Sequence, residues 1–600
     1  MEKQKITPKE IFAQYKSAVD YKNGIGEKGL YEQAKINERF YVGDQWYGCK
    51  AGNDRPLARN NLIKRCGEYK MSNITAQPIS VTYSAEGVNN LFDDDSRKEK
   101  DIVKFGMMQG EVPPEEPQEA EISIITEALS DYFRITAERI KFDGKKEQVL
   151  RNAYIAGTGV LYTYWDETIE TGLYADESRN TAIKGDIAVE VLDIENVSFG
   201  DPNNNDVQSQ PFIIIAQRLD VEAVRREARK NKRSDWEQIV PDGCENYNAG
   251  DRGEEEPAES RRVTVLTKFY KEYDKSESSY VIKAIKVTEK AVVRNSWELK
   301  GKLYPFSIFS WERRRSSIYG ESEITYLIPN QIAINRLLSA AVWNQTMTGF
   351  SHLLVNGNVI SDKVTNNPGQ IIKVYGDMND VAGAMRYVTP PQVSNAMQNF
   401  VDALATSTLV GAGATDASLG SLRIENASAL IQMREAALQP LQIYMNRFYE
   451  FIEDTARIWA DMWVNCYGDR KLRVEDTDGV NYIPFVAERY RNLLLVARVD
   501  VGSATMYSDS VSVDMLFRFY EMGVIDKAQL LDRIPKGIIY NVEGLKKDMQ
   551  NSQVPGMMPG SEDEVMQRMA QNFPEQYAQY QNMSPEEQAQ VNGVMGGTAV

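Results

Sequence analysis

GAGATDASLGSLRIENAS (Gly411–Ser428) runs without a break into ALIQMREAALQPLQIYMNRFYEFIEDTARIWADMWV (Ala429–Val464). In the second stretch Leu430, Ala437, Tyr444, Phe451 and Ile458 recur at intervals of seven. Leu441, Phe448 and Met462 occupy the position four residues on, a row that Arg434 and Thr455 interrupt. This spacing lays one apolar stripe along one helix face. Pro440 lies inside it, and a proline in a regular helix costs about 3 kcal/mol, because it lacks an amide donor and clashes with the preceding turn. The stripe keeps its phase across the proline, so the spacing predicts one long helix kinked near Gln439. Glu425, Asn426 and Ser428 are start signals and Gly468 is a stop. On pattern alone this is a core helix behind an ordinary connector.

Upstream of it, the spacing predicts a helix from about Ser394 to Val410, with Asp402 as its only charge. Before that, Ser351–Gln392 reads as a small strand-and-turn insertion closed by Pro390-Pro391. Ile324–Phe350 is a further helix with very few charges. Ile334, Leu338, Ala341 and Val342 cluster on one side, and Asn330, Gln331, Asn335, Asn344 and Gln345 are polar but neutral. A small module is thus held between two helices that carry almost no charge.

The first 320 residues read as α+β, antiparallel strands with helices grouped around them. Thr7-Pro8-Lys9-Glu10 is a helix start with a capping box and proline in the first turn. NERFYVGDQWYG (Asn37–Gly48) is aromatic-rich, which suits a small core or subunit interface better than base stacking. Strands are expected at Ile79–Ala85, Val160–Asp166, Gly185–Pro202 and Pro211–Leu219, with helices around 122–140 and 146–156. From Arg261 to Lys302 three or four strands carry eleven Lys or Arg against five Asp or Glu, +6 locally. That basic stretch fits the solvated face of a sheet with lysine-guarded edges better than a phosphate-binding surface. Short helices are expected after about residue 505. Residues 551–600, rich in Met, Gln, Pro and Gly, read as a flexible acidic tail.

Composition excludes several classes. The net charge of −17 over 600 residues argues against a tight sequence-specific duplex binder, since such binding rests on cations at phosphates. The four cysteines, Cys49, Cys66, Cys244 and Cys466, show neither CxxC spacing nor a disulfide framework. No run approaches the ~20 apolar residues of a membrane helix. There is one histidine, His352, so no HExxH helix exists, and no GxxxxGK[ST] phosphate loop occurs. Asp201, Asn203 and Asn205 are spaced like the start of a calcium loop but lack its central glycine and closing glutamate, which favours Asx-type turns. No cofactor and no metal is expected. A metal-dependent nuclease or hydrolase using acidic residues stays open on composition alone.

NERFYVGDQW, GTGVLYTYWD, GDIAVEVLDIENVSFGDP, YGESEITYLIPNQIAINRLLSAAVWNQ and LGSLRIENASALIQMREAALQPLQ, in this order and spacing, cover roughly residues 30–470. Together they make the chain resemble the portal, or head-to-tail connector, proteins of tailed bacteriophages. The resemblance implies a non-enzymatic virion component, assembled in the host cytoplasm; the alternative beside it is another capsid component, such as a minor head or scaffold protein. It would be a ring, usually of twelve copies, at one capsid vertex. Double-stranded DNA passes through its channel without sequence specificity. The implied partners are the major capsid protein, the terminase and head-completion or tail adaptor proteins, with no membrane. It further implies an α/β wing (1–320), two stem helices (321–350 and 394–410) and a small β-containing clip (351–393). A tunnel loop (411–428), the long kinked helix (429–468), wing return strands (469–504), a helical crown (505–550) and the tail (551–600) complete the subunit. Carried over, Gly411, Gly413, Thr415, Asp416, Ser418, Gly420, Arg423 and Glu425 belong to the tunnel loop beside DNA. Asn330, Gln331, Asn335, Arg336, Asn344, Gln345 and Asp402 belong to the stem. His352, Asn356, Asp362, Lys363, Asn366, Asn367 and Lys373 belong to the clip, where terminase and adaptors dock. Pro440 is the kink.

Overall fold

A computed structural model of the chain describes residues 7–47, 56–76, 79–86, 119–174, 182–242, 261–274, 279–349, 352–356, 360, 385–388, 395–413, 439–476, 479–490, 494–501, 516–520, 522 and 530. The chain divides into two compact units, Met1–Ala504 and Thr505–Val600. In the second, residues 516–520 are helical. All elements named below lie in the first.

Three helices lead: α1 (Pro8–Asn23), α2 (Leu30–Val42) and α3 (Leu62–Thr75). The α1 start is a complete capping box. The Glu10 amide donates to Thr7 Oγ1 (3.4 Å), and the Thr7 amide donates to Glu10 Oε2 (3.1 Å). Strand β1 (Ile79–Glu86) follows, then α4 (Glu119–Arg139) and α5 (Phe142–Ala156). Strands β2 (Thr158–Tyr174) and β3 (Ala182–Asp193) form a long antiparallel hairpin. With β9 (Phe306–Ser310) on the other edge of β2, they make a three-stranded sheet. Strands β4 (Val197–Phe199), β5 (Phe212–Asp220), β6 (Arg262–Asp274), β7 (Ser279–Val287) and β8 (Val292–Glu298) form a five-stranded antiparallel sheet in sequence order. Helix α6 (Val221–Lys230) buries Val221, Val224 and Ala228 and turns its charges outward.

The basic stretch resolves into β6, β7 and β8, and several of its lysines have acceptors. Lys283 meets Glu272 and Lys286 meets Glu227, both at 2.8 Å, and Lys268 Nζ donates to Gln14 Oε1 at 2.8 Å. At Asp201–Gln208 the amides of Asn203, Asp206 and Gln208 donate to the side-chain oxygens of Asp201, Asn204 and Asp206. These are Asx turns. Among the described residues, no group of three or more His, Cys, Asp or Glu is placed to hold a metal ion.

Helix α7 (Glu323–Gly349), the ribbon of β10 (His352–Val355) and β11 (Met385–Val388), and helix α8 (Asn395–Gly411) come next. A 3-10 turn at Gln439–Leu441 leads into α9 (Gln442–Cys466). Strands β12 (Asp469–Asp476) and β13 (Gly479–Val486) pair as a hairpin, and β14 (Leu494–Val501) returns to pair with β1.

Helix α9 is the hub of the main core. Phe448, Phe451, Ile452, Ala456, Trp459 and Trp463 are all buried in one cluster that also takes residues from α3, α4, α5 and β14. Trp459 lies with its ring centroid 4.7 Å from Phe133 of α4 and 5.2 Å from Phe142 of α5. Thr455, which breaks the apolar row in the sequence, is fully buried. Its hydroxyl donates to Phe451 O (2.9 Å) and is 2.8 Å from the hydroxyl of Ser307. A satisfied hydroxyl can occupy a core position that an unsatisfied one could not.

The N-terminal helices are fastened by a buried lysine. Lys22 of α1 is 0% exposed, and its Nζ donates to Ile194 O (3.0 Å) and Glu195 O (2.8 Å). The rings of Tyr31 and Tyr319 lie on either hand, their centroids 5.6 and 5.7 Å away. Burial pulls the ammonium down to about 7, opposed by the carboxylate of Glu195. The Glu195 carboxyl is itself pushed up to about 7, mainly by burial and then by Asp193.

Candidate functional site

The two nearly neutral helices α7 and α8 are built outward from a rigid base. Glu323, the first residue of α7, accepts from Lys70 Nζ at 2.7 and 2.8 Å and from Trp311 Nε1 at 3.1 Å. Both ends of this ion pair are buried, and the ammonium lies 5.1 Å from the ring centre of Tyr444 on α9. A carboxylate in the first turn also answers the positive end of the helix dipole. Ser322 Oγ donates to Tyr154 O at 2.6 Å. Gly157 closes α5 with φ 87°, and a Cβ there would lie 2.4 Å from Gly320 O. No other residue lets the two segments approach so closely. Pro329 lies inside α7, so one backbone acceptor of its first turns loses its helical donor.

One face of α7 is occupied by the chain's own segment 56–62. Gln331 Oε1 accepts from the Leu62 amide (3.0 Å), and its Nε2 donates to Asn60 O and to Asn335 Oδ1 (3.0 Å). Asn335 Oδ1 accepts from the Asn60 amide (3.1 Å), and its Nδ2 donates to Gln45 Oε1 (2.5 Å). Ser339 Oγ accepts from the Ala58 amide at 2.9 Å. Residues 331, 335 and 339 are four apart and share one helix face. They supply the polar partners that an extended backbone needs when buried. Gln331 and Asn335, neutral polar stem candidates in the sequence, are therefore buried fasteners between α7 and the N-terminal segment.

A second face of α7 packs against α8. Ile334 and Val401 share a small core with Leu62, flanked by Leu337, Leu338, Leu404, Ala405 and Leu409. Asn330 Nδ2 donates to Thr408 Oγ1 (3.2 Å), which donates to Leu404 O (2.7 Å). The helices are antiparallel, since Asn330 lies beside Thr408 while Ile334 lies beside Val401. Val342 is 46% exposed, so it leaves the apolar side on which the residue pattern places it. Tyr326, Phe400 and Val410 are exposed as well.

Charge is almost absent from this pair. Glu323 and Arg336 are the only acidic or basic residues of α7, and Asp402 is the only one of α8. Glu323 is consumed by Lys70 at the base. Arg336 and Asp402 are exposed and have no ion-pair partner among the described residues. Gln345 is exposed and Asn344 half-buried.

The end of α8 enters the main core through buried Ala412. A Cβ built on Gly413 would lie 3.7 Å from Pro440 Cβ. The segment 414–438 thus leaves and re-enters the described fold at neighbouring points. Of the loop candidates, Gly411 and Gly413 are described; Thr415, Asp416, Ser418, Gly420, Arg423 and Glu425 lie outside the described residues, as do residues 429–438, where the sequence leads one to expect the start of the long helix. Pro440 stands in the 3-10 turn before α9. Of the clip candidates, His352 opens β10, with its backbone opposite Val388, and Asn356 follows the strand. Asp362, Lys363, Asn366, Asn367 and Lys373 lie outside the described residues. Lys70, Trp311, Glu323, Asn60 and Gln45 organise the site and carry no local sequence signal, because most of their partners lie hundreds of residues away.

Among the described residues, no helix is long and apolar enough to cross a membrane. A search of the curated proteins finds no match to the chain. A family model described as "Phage SU10 portal protein" matches residues 169–477, just over half of the chain and a span that holds α7, α8 and α9.

Proposed function

We propose a function from the premise that this chain belongs to the phage SU10 portal protein family: copies of it close into a ring at one capsid vertex, through which the genome is packaged and ejected. In this reading α7 and α8 are the stem and the segment beyond Gly413 is the tunnel loop. The β10–β11 ribbon is the base of the clip that meets the terminase and later the tail adaptors. The major capsid protein surrounds the wing, and twelve copies is the count that the family resemblance suggests.

The observation that carries the proposal is the charge of the stem. A conduit must not bind what it conducts. Duplex DNA bears one charge per ~1.7 Å, and every cation at a phosphate adds salt-dependent affinity. Repeated around a ring, one free lysine per subunit becomes a collar of positive charge. Helices α7 and α8 together contain one Arg and no Lys. The nearness of Gly413 to Pro440, the points where the described fold is left and re-entered, supports a loop that can be presented to a channel without disturbing the helices that hold it.

The test is packaging by a purified motor into heads built with a shortened loop. Deleting Ser418–Leu422 should leave ring assembly intact and reduce DNA packaging or retention. Normal packaging and retention of full-length DNA would show the loop to be a plain connector.

A further inference from the structure

We infer that Arg336 of one copy pairs with Asp402 of the next copy in the ring, one ion pair per interface, which fixes the register of the stem. The inference rests on the ring reading above and adds the contact that sets it.

The two residues lie within about one turn of the same height on the helix pair. Asn330 is beside Thr408. At ~1.5 Å per residue, Arg336 lies about 9 Å further along α7, and Asp402 about 9 Å back along antiparallel α8. They nevertheless point apart. Arg336 follows buried Ile334 by two residues, about 200° around the helix, and Asp402 follows buried Val401 by one, about 100° around. Ile334 and Val401 face each other across the pair, so Arg336 is on the far side of α7 and Asp402 on a flank of α8. Within one chain they cannot meet.

A second copy related by rotation about an axis along the stem keeps the height and brings the far side of one pair to the flank of the next. That is a head-to-tail contact, in which two different surfaces meet. On the two helices themselves the only other charge is Glu323, held by Lys70 at the base, and the segment 56–62 along α7 adds exposed Arg59, of the same sign as Arg336. Ala340 stands one turn from Arg336 on the exposed side, and Ala403 and Thr406 are exposed beside Asp402. A single polar pair in an otherwise neutral contact specifies register, as one polar position does in a coiled coil. Either charge buried there alone would be uncompensated and strongly unfavourable. The pairing also removes the one arginine of the stem from the channel, where a ring of cations would hold DNA.

Charge reversal tests it on the full-length protein. Arg336→Asp, Asp402→Arg and the combined swap are compared with the natural sequence by sedimentation velocity and negative-stain imaging. Both residues are exposed, and thermal melts of the dissociated chains check that each variant folds. The expected result is at least a tenfold loss of the ring fraction in each single variant and its recovery in the swap, with the losses smaller at high salt. Rings indifferent to both reversals overturn the pairing alone, as does a swap that assembles no better than the worse single variant. Rings intact in Arg336→Asp but altered in DNA passage would place Arg336 in the channel and also overturn it. If the natural sequence itself forms no rings, the ring reading falls, and the pairing with it.

Discussion

Helix α9 and the α7–α8 pair are both long and present apolar faces, yet α9 carries six charged residues where the pair carries three, and they are satisfied differently. Helix α9 finds its partners inside the chain: Phe448, Phe451, Thr455, Trp459 and Trp463 are all buried by α4, α5, β9 and β14. The α7–α8 pair finds only half of its partners there. It is pinned at its base by Lys70–Glu323, zipped along one face by Gln331 and Asn335, and left with Tyr326, Val342, Phe400 and Val410 exposed. A helix covered within its own chain and a helix pair left partly uncovered thus differ in what covers them; in the ring proposed above, other copies would cover the pair. Large, closing interfaces between copies are the natural cover for such a surface.

The sharpest break between the two regions comes from truncating each. Trp459→Ala should destabilise the first unit by about 3–5 kcal/mol, through lost burial and the cavity left among Phe133 and Phe142. Val342→Ala should change the stability of the dissociated chain by no more than about 0.5 kcal/mol, as expected for an exposed site. Denaturant melts of both variants under dissociating conditions measure the contrast. An equal loss in the two would mean that α7 is a core helix like α9.

The base of α7 should be nearly as sensitive as α9. Glu323→Ala leaves the Lys70 ammonium buried without its partner, and such breaks cost about 3–5 kcal/mol. The double variant Lys70→Met, Glu323→Leu should recover part of that loss. If Glu323→Ala melts like the natural sequence, the pair does not anchor α7.

A smaller effect is expected along the zipped face. Gln331→Leu removes the side-chain partner of the Leu62 amide and of the Asn60 carbonyl, leaving them only the 3.0 Å bond they make to each other, a loss of about 1–3 kcal/mol. Hydrogen exchange at the amides of Asn60 and Leu62 should quicken, with α9 unchanged. Unchanged exchange at Leu62 would show that the segment 56–62 is held by something other than Gln331.

The pH dependence of the N-terminal attachment is subtler still. Lys22 binds its proton less tightly in the folded chain, so between about pH 7 and 10.5 the unfolded chain holds more protons and stability rises with pH. Glu195 is shifted the other way, so between pH 4.5 and about 7 the folded chain holds more protons and stability falls as pH rises. Together they place a minimum near neutrality. Lys22→Met should flatten the rise above pH 7 in a series of thermal melts. A variant that keeps the full rise would assign it to other groups.

How much of this is legible in the sequence follows from where each signal lies. The stripe of α9, the capping box of α1 and the Asx turns at Asp201 are local patterns, and the chain carries them openly. Thr455 reads as a fault in the stripe because its second partner, Ser307, is 148 residues away. Gln331 and Asn335 read as neutral surface because their partners at Asn60 and Leu62 come from the far N-terminal segment. Lys22 does have a signal: it falls on the stripe of Ile11, Tyr15 and Val19, and a lysine on a buried face calls for carbonyl partners. The Lys70–Glu323 pair has none, since nothing in either neighbourhood names the other. The neutrality of α7 and α8 is plain in the sequence, as is its fit to the portal resemblance.

The central claim is that the uncovered faces of α7 and α8 are closed by other copies around a channel. Imaging the purified full-length protein tests it most directly, with sedimentation of the same sample. The account predicts closed rings with a central hole wide enough for duplex DNA and a matching single large species. A stable monomer at micromolar concentration, with no rings in assembled heads, would contradict it.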